Sequence, residues 1–169
     1  DFITYVNLWN YINEQRQELT SGQFRKMCQK DFLAYMRVRE WQDIYTQIKQ
    51  VTDELDIKVS STPSNFDAIH QALLAGLLSH IGLKDKDAEY LGARNSKFYM
   101  FPGSGLFKKQ PKWGMFAELV ETSKLFARVA ARIKPEWVEH QAQHLIKRSY
   151  AEPHWQKKSG VVGAFETQT

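Results

Sequence analysis

Hydrophobic positions recur at helical spacing through the first half of the chain. Over residues 2–13 apolar side chains stand three or four apart, which predicts a helix that ends near Asn13. A second segment begins at "SGQF", residues 21–24, and its later part repeats apolar residues at 3-4-3-4 spacing, a strong helix pattern. The apolar positions of these segments are Phe2, Tyr5, Val6, Trp9 and Ile12, followed by Trp41, Ile44, Ile48, Val51 and Leu55.

A loop and a third helix are predicted next. Residues 56–65, "DIKVSSTPSN", are turn-forming, and Pro63 disfavours helix in the residue before it. The apolar positions then return at Phe66, Ile69, Leu73, Leu77 and His80/Ile81, and Gly82 is expected to stop this helix. Three amphipathic helices on short connections predict part of a helical bundle over residues 1–83.

The pattern changes after "LKDKDAEY", residues 83–90. Residues 89–101, "EYLGARNSKFYMF", are short, aromatic and interrupted by turn residues, which predicts strand–turn–strand, and residues 101–112 are a loop. Residues 113–133 fit two structures. Met115, Ala117 and Leu119, then Leu125, Ala127 and Val129, alternate as a β-hairpin around "ETS", whereas Leu119, Thr122, Phe126, Val129 and Ile133 fit a helix. We favour the hairpin, because a glycine and bulky aromatics open the segment.

The last part of the chain predicts one helix and one strand. "KPEWVEHQAQHLIKR", residues 134–148, has Pro135 in the first turn and Glu136 at the positive end of a helix. "SGVVGAFETQT" reads as a strand that the end of the chain interrupts. Short strands and one helix within about 80 residues suit an OB-like barrel. The fold class is therefore α+β: a partial helical bundle (1–83), then a small OB-fold-like β-barrel with an inserted or terminal helix (84–169).

Charge is distributed unevenly along the 169 residues. The net charge is +4, but residues 1–83 carry 8 Lys/Arg against 10 Asp/Glu, while residues 84–169 carry 15 against 9. A polyanion is therefore expected to bind the second half. No apolar run reaches 18 residues, so we expect no membrane partner. Without a signal peptide, and with Cys28 as the single cysteine, the chain suits the cytoplasm, and the missing first Met suggests a piece of a longer protein.

The sequence "GSGLFKK", residues 103–109, poses the question of a nucleotide-binding loop. A Walker A loop needs a Lys directly after its last Gly, followed by Ser or Thr. Here Leu106 follows Gly105, and Gln110 follows Lys108 and Lys109, so the spacing fails. The loop is not predicted to hold a nucleotide phosphate.

A nucleic-acid surface fits the same region better. Basic residues alternate with aromatic ones between residues 94 and 113, and lysines neutralise phosphates while aromatic rings stack on unpaired bases. At least half of the aromatics are expected to fill the barrel instead. In the hairpin, Phe116 and Phe126 share a phase with Glu118, Lys124 and Arg128 and are expected on a solvated face. The candidate nucleic-acid-binding residues are Arg94, Lys97, Phe98, Ser104, Lys108, Lys109, Lys112 and Trp113.

Catalytic and metal sites have little support. His140 and His144 stand four apart on a predicted helix, but no third ligand has a compelling position. Cys28 has no paired His motif, and "GSG" at Ser104 lacks the nucleophile-elbow pattern. We expect no catalytic residue, no metal and no cofactor in this chain.

Several motifs resemble the C-terminal region of DEAH-box RNA helicases, and most closely the bacterial HrpA type. In the second half these are Trp113, Glu118-Leu119-Val120, Thr122-Ser123-Lys124, Pro135-Glu136-Trp137 and the loop "FPGSGLF". In the first half "DFITYVNLWNYI", "FLAYMRVREWQDIYTQI" and "IHQALLAGLLSHI" resemble helices of the family's bundle, called the ratchet domain. One departure is Met36, where the family usually has Arg. The resemblance covers nearly the whole chain.

The resemblance implies a fold and a function. Residues 114–131 should be a hairpin of an OB-fold, beside the end of the ratchet domain, and both should cover an RNA channel over two RecA-like motor domains. The sequence has no Walker A loop, no Asp-Glu-Ala-His box and no Ser-Ala-Thr motif, so ATP hydrolysis, with ATP and magnesium, would belong to the motor domains of the parent helicase. The expected partners are single-stranded RNA and the motor domains. A protein regulator that docks here is the alternative.

Overall fold

A computed structural model describes residues 1–60, 62–144, 148–156 and 161–168. The chain divides into two compact units, Phe2–Phe66 and Asp1 together with Asp67–Thr169. The first unit, called the helical unit below, contains α1 (Phe2–Glu18), α2 (Ser21–Lys30) and α3 (Tyr35–Glu54). The second, called the barrel unit, contains two further α-helices and the strands of the described residues.

The helical unit has its own hydrophobic core. Ile12 of α1, Phe24 and Cys28 of α2 and Val38 of α3 are buried together. A capping box fixes the start of α2, because the Thr20 side chain accepts from the Gln23 amide while the Gln23 side chain accepts from the Thr20 amide. Burial raises the pKa of the Cys28 thiol, which suits a packing role.

Two predicted features of this unit differ from the structure. The first helix continues five residues past Asn13 to Glu18, and the second predicted segment is divided at residues 31–34 into α2 and α3. The 3-4-3-4 pattern does mark a helix, but most of its apolar residues lie outside the hydrophobic core. Its members Ile44, Ile48 and Val51 of α3, and Leu55 directly after this helix, are each more than half exposed.

The third predicted helix is shorter than its pattern. The helix α4 (Phe66–Gly76) ends four residues before His80, a 3₁₀ turn follows at Leu78–His80, and Ile81 opens the first strand. Because Ile81–Lys84 pairs with two other strands, barrel structure begins before residue 84, the boundary that the sequence suggests. In the structure α4 is grouped with the barrel, and the two units divide between Phe66 and Asp67.

Five strands close into a barrel in the order β1-β2-β3-β5-β4. The strands are β1 (Ile81–Lys84), β2 (Glu89–Gly92), β3 (Lys97–Met100), β4 (Trp113–Glu121) and β5 (Leu125–Arg132). Neighbours are antiparallel except β3 and β5, which run parallel with Tyr99 opposite Phe126. This confirms the α+β class, the OB-like barrel and the hairpin over residues 113–132.

The aromatic core explains two glycines of the barrel. Tyr90, Phe98 and Phe116 are fully buried, with ring centroids 5.1–5.9 Å apart. Gly82 and Gly92 lie opposite each other in β1 and β2, and a Cβ on either would come within 2.6 Å of the Phe98 ring. Gly82 therefore makes room for a core ring and does not end a helix, as its sequence context had indicated.

Strand β5 contains a bend at Val129. This β-branched residue has φ 55°, in the left-handed region where such side chains are strained. The bend interrupts the alternation, so that Ala127 and Ala130 are buried and Val129 is only half-buried. The predicted alternation of Leu125, Ala127 and Val129 is therefore interrupted at its last member, while the hairpin itself is present.

The remaining elements follow the barrel. The helix α5 (Pro135–Gln141) begins at Pro135 as the sequence predicts but is shorter, and Lys134 before it forms an ion pair of 2.9 Å with Asp67 of α4. The strands β6 (Arg148–Gln156) and β7 (Val161–Gln168) form a separate antiparallel pair. Strand β7 confirms the predicted last strand, whereas β6 was not predicted. No helix in the described residues has the length and apolar character to cross a membrane.

Candidate nucleic-acid interface

Three aromatic rings lie on the outside of the barrel along β3 and β5. Because side chains alternate along a strand and Phe98 and Met100 point inward, Tyr99 and Phe101 point outward. Phe126 of β5 lies between them, with ring centroids 6.4 Å from Tyr99 and 6.1 Å from Phe101. We call these three residues, with Lys124 and Arg128, the aromatic face.

Two cations of the aromatic face lie over its rings. The Lys124 Nζ is 4.4 Å from the centroid of Tyr99, and the Arg128 guanidinium carbon is 4.7 Å from that of Phe101. Both distances are within the range of cation–π attraction. Arg128 also has an ion pair with Glu118, at a long 3.9 Å, and its buried Nε has no hydrogen-bond partner. The guanidinium is thus held over the Phe101 ring, and its long ion pair with Glu118 leaves it only loosely neutralised.

A hydrogen-bonded group borders the aromatic face at β2. Glu89 accepts from Lys97 Nζ at 2.7 Å and from Tyr99 Oη at 3.0 Å. The Lys97 hydrogen bond, and then that of Tyr99, lower the pKa of Glu89, and the same carboxylate raises the pKa of Lys97 and of Tyr99. Lys97 is therefore a charged residue with an acidic partner, less available to a phosphate than an unpaired lysine.

The loop over residues 101–112 carries three of the candidate lysines, and we call it the lysine loop. Asp1 anchors it to the barrel. The Asp1 carboxylate accepts from Ser104 Oγ at 2.7 Å, from the Gly105 amide at 2.9 Å and from the Ala130 amide of β5 at 2.7 Å. At the far end of the loop, Tyr90 Oη donates to the Pro111 carbonyl at 2.8 Å, and burial raises the pKa of Tyr90 to about 12.

The candidate cations lie at both ends of β3. Arg94 is in the 3₁₀ turn before this strand, with φ 56°, and is exposed. Lys108, Lys109 and Lys112 are exposed in the lysine loop after the strand, and the Lys112 carbonyl, directly before β4, accepts from the Lys84 amide. A strand of nucleic acid that follows β3 would pass both groups.

The remaining candidates have structural contacts. Phe98 is only 1% exposed and belongs to the barrel core, so its ring is not open to a base. Phe116, expected on a solvated face, is also fully buried, since the pairing of β4 turns it inward. Trp113 is half-buried, and the Ser104 hydroxyl donates to Asp1. In the described part of the chain no three His, Cys, Asp or Glu side chains form a metal-binding group, and His140 and His144 are exposed.

The sequence pattern contains a signal for the aromatic face. Once Phe98 is assigned to the core, alternation places Tyr99 and Phe101 outside, and the phase shared by Phe126, Lys124 and Arg128 already indicates a solvated face. The parallel pairing of β3 with β5 brings Tyr99 and Phe101 next to Phe126, and no local sequence pattern predicts this pairing. Nor does anything in the sequence connect Asp1 with a loop more than 100 residues away.

Comparisons with known proteins agree with the barrel fold. A family model described as an oligonucleotide/oligosaccharide-binding (OB)-fold matches residues 69–146. The chain is 63% identical over 170 residues to the ATP-dependent RNA helicase HrpA of Escherichia coli (strain K12). This match covers 100% of this chain and 13% of the relative. The HrpA homolog of Haemophilus influenzae is 56% identical over 170 residues, again 100% of this chain and 13% of the relative.

Among solved structures, the E. coli DExH-box NTPase HrpB matches with a TM-score of 0.48 and 16% identity, over 71% of this chain and 15% of that chain. The chain spans 13% of the length of each of the two curated relatives named above.

Proposed function

Because this chain is an OB-fold-containing region of the HrpA helicase type, we propose that it is a nucleic-acid-binding accessory part of an ATP-dependent RNA helicase. Its task is to grip single-stranded RNA while the parent protein unwinds it. The aromatic face is the observation that carries this proposal, since outward-facing rings, one exposed and two half-buried, with cations beside them are what a single strand needs on a barrel surface.

The lysine loop supports the same function. Lys108 and Lys109 are exposed cations, and among the residues that the structure describes neither has an ion pair. Exposed lysines neutralise phosphates without regard to sequence, whereas rings stack on any base. The two sets together favour a sequence-tolerant grip, with Arg94 and Lys112 as further phosphate contacts and Trp113 and Lys97 as border residues.

The rest of the activity is assigned to other parts of the parent. ATP hydrolysis and movement in the 3′-to-5′ direction would need RecA-like motor domains with ATP and magnesium, since this sequence carries no motor motif. This part would contact the motor domains and the RNA together. The proposal places the protein in the cytoplasm, where a single buried cysteine stays reduced.

The direct test measures RNA affinity of a lysine-loop variant. In Lys108→Ala/Lys109→Ala we expect weaker binding of a labelled single-stranded RNA in fluorescence anisotropy. The slope of log affinity against log salt should flatten by about one to two units, because two phosphate contacts are lost. The matched control is Lys49→Ala/Lys58→Ala, which removes the same charge from exposed lysines of the helical unit. Equal affinity loss in both variants, or none in either, would contradict a grip by the lysine loop.

A protein-interaction module is the second candidate. The observation that favours it is the row of exposed apolar residues along α3 and at its C-terminal end, which includes Ile44, Ile48, Val51 and Leu55. Such a row is typical of a surface that contacts protein, either a regulator or another part of the parent. Binding of single-stranded RNA that does not depend on salt, or no binding at low salt, would favour this candidate over the first.

A further inference from the structure

The helical unit contains a groove of about 390 Å³ between α1 and α3. Its volume is within the roughly 300–1,000 Å³ of small-molecule sites. All of its lining residues belong to these two helices, so the groove is independent of the aromatic face and the lysine loop. The lining combines two aromatic rings with charged and amide side chains, so it offers both a stacking surface and polar partners.

The groove offers one open aromatic ring. Trp9 packs between Trp41, with centroids 5.0 Å apart, and Tyr45, with centroids 4.7 Å apart. Trp9 is half-buried by these neighbours, whereas Tyr45 is 51% exposed. The Trp9 contact supports the Tyr45 ring from one side, so a planar ligand could stack on it without moving the helices.

The polar lining residues have unused hydrogen-bonding capacity. Within the described chain, the side chains of Asn13, Arg39, Gln42 and Asp43 make no hydrogen bond or ion pair with another residue. The contrast with Arg37 is direct, since that residue lies two positions from Arg39 and pairs with Glu40 at 2.7 Å. A guanidinium has five donors in a planar fork that matches a phosphate. Arg16 adds a second guanidinium from α1.

We propose that this groove binds one nucleotide unit, a planar base joined to a single phosphate. The base stacks on Tyr45, the phosphate lies between the guanidinium groups of Arg39 and Arg16, and the amides of Asn13 and Gln42 contact the base edge. Asp43 accepts from an exocyclic amino group, and its negative charge disfavours a longer phosphate chain. The same chemistry is offered by a free nucleoside monophosphate and by a nucleotide within a single strand.

The test uses the full chain carrying Lys108→Ala/Lys109→Ala, so that binding by the lysine loop is already reduced. One arm titrates adenosine monophosphate and follows the indole and amide signals of the groove by NMR. The other arm measures anisotropy of a labelled single-stranded RNA decamer. In this background Arg39→Ala should weaken binding by about tenfold or more, because a charge-assisted contact is lost.

Arg37→Ala is the matched control, with the same helix, charge and exposure but no place in the groove lining. It should change affinity by less than about twofold, the level expected of a screened surface charge. Arg39→Lys, which keeps the charge without the fork, should fall between the two. If Arg39→Ala lowers the affinity for the RNA decamer alone, the groove is assigned to RNA. If it lowers the affinity for adenosine monophosphate as well, the groove is assigned to the free nucleotide.

Equal effects of Arg39→Ala and Arg37→Ala, or no binding of either probe, would overturn the groove proposal. This outcome is distinct from failure of the barrel grip, which is scored by the lysine-loop variant against the Lys49/Lys58 control in the otherwise unchanged chain. Tyr45→Phe should keep affinity and Tyr45→Ala should lose it, since stacking needs the ring and not the hydroxyl.

Discussion

Phe98 in β3 and Phe101, directly after this strand, have opposite surroundings. Phe98 is enclosed by Gly82, Gly92 and the rings of the core, and Phe101 is 36% exposed under the Arg128 guanidinium. A buried ring stabilises the fold, whereas an exposed ring with a cation above it can exchange that contact for a base. We therefore expect a change at Phe98 to affect mainly stability and a change at Phe101 to affect mainly RNA binding.

The first prediction compares alanine at these two positions. Phe101→Ala should lower the affinity for single-stranded RNA, because base stacking on an aromatic ring is worth about 1–3 kcal/mol. It should lower the denaturation midpoint of the barrel much less than the loss of a fully buried ring does. Phe98→Ala should instead cost about 3–5 kcal/mol of unfolding free energy, as buried rings do. Anisotropy and urea denaturation measure the two quantities, and an unchanged RNA affinity in a folded Phe101→Ala would remove the aromatic face from the interface.

At the scale of elements, β5 organises the candidate interface. On one side it pairs with β3, which brings Phe126 beside Tyr99. Past the Val129 bend its Ala130 amide has no strand partner on that side, and the Asp1 carboxylate accepts from it. The same carboxylate accepts from Ser104 and Gly105, so Asp1 joins the lysine loop to the strand that carries Phe126 and Arg128.

The second prediction concerns Asp1 as a positioning residue. Asp1→Ala removes three charge-assisted hydrogen bonds, so amide exchange at Gly105 and Ala130 should become faster, and RNA affinity should fall because the lysine loop is no longer anchored. Loss of a negative charge alone would raise affinity for a polyanion. Asp85→Ala is the control, an exposed aspartate of the barrel unit that removes the same charge. A higher RNA affinity in both variants would show that Asp1 acts only by charge.

Local pattern predicted the elements better than their contacts. The pattern in residues 89–133 predicted the strands β2 to β5, because inward and outward side chains differ in polarity along each strand, but it missed β1, whose Ile81 was assigned to the third helix. It failed at Val129, where a positive φ shifts the inward face, and at Gly82, where glycine serves a ring from another strand. The aromatic face and the Asp1 contacts depend on long-range pairing, and neither leaves a spacing in the sequence.

At the scale of the whole molecule, charge and core follow different divisions. The excess of positive charge lies after residue 83, in keeping with a barrel unit that meets a polyanion. Each unit has a separate hydrophobic core, Ile12, Phe24, Cys28 and Val38 in one and the aromatic cluster around Phe98 in the other. A destabilising change in one core is therefore expected to act first on its own unit.

The last prediction tests this division. Phe24→Ala removes a ring that is 1% exposed, and the helical unit should lose about 3–5 kcal/mol of stability. Hydrogen exchange, followed residue by residue, should accelerate in α1–α3 while the amides of β3–β5 keep their protection. Phe32→Ala is the control, because Phe32 is 98% exposed in the same unit and its ring does not belong to the core. If barrel amides in Phe24→Ala lose protection together with the helices, the chain unfolds as one cooperative unit, and affinity changes in helical-unit variants would then have to be corrected for barrel unfolding.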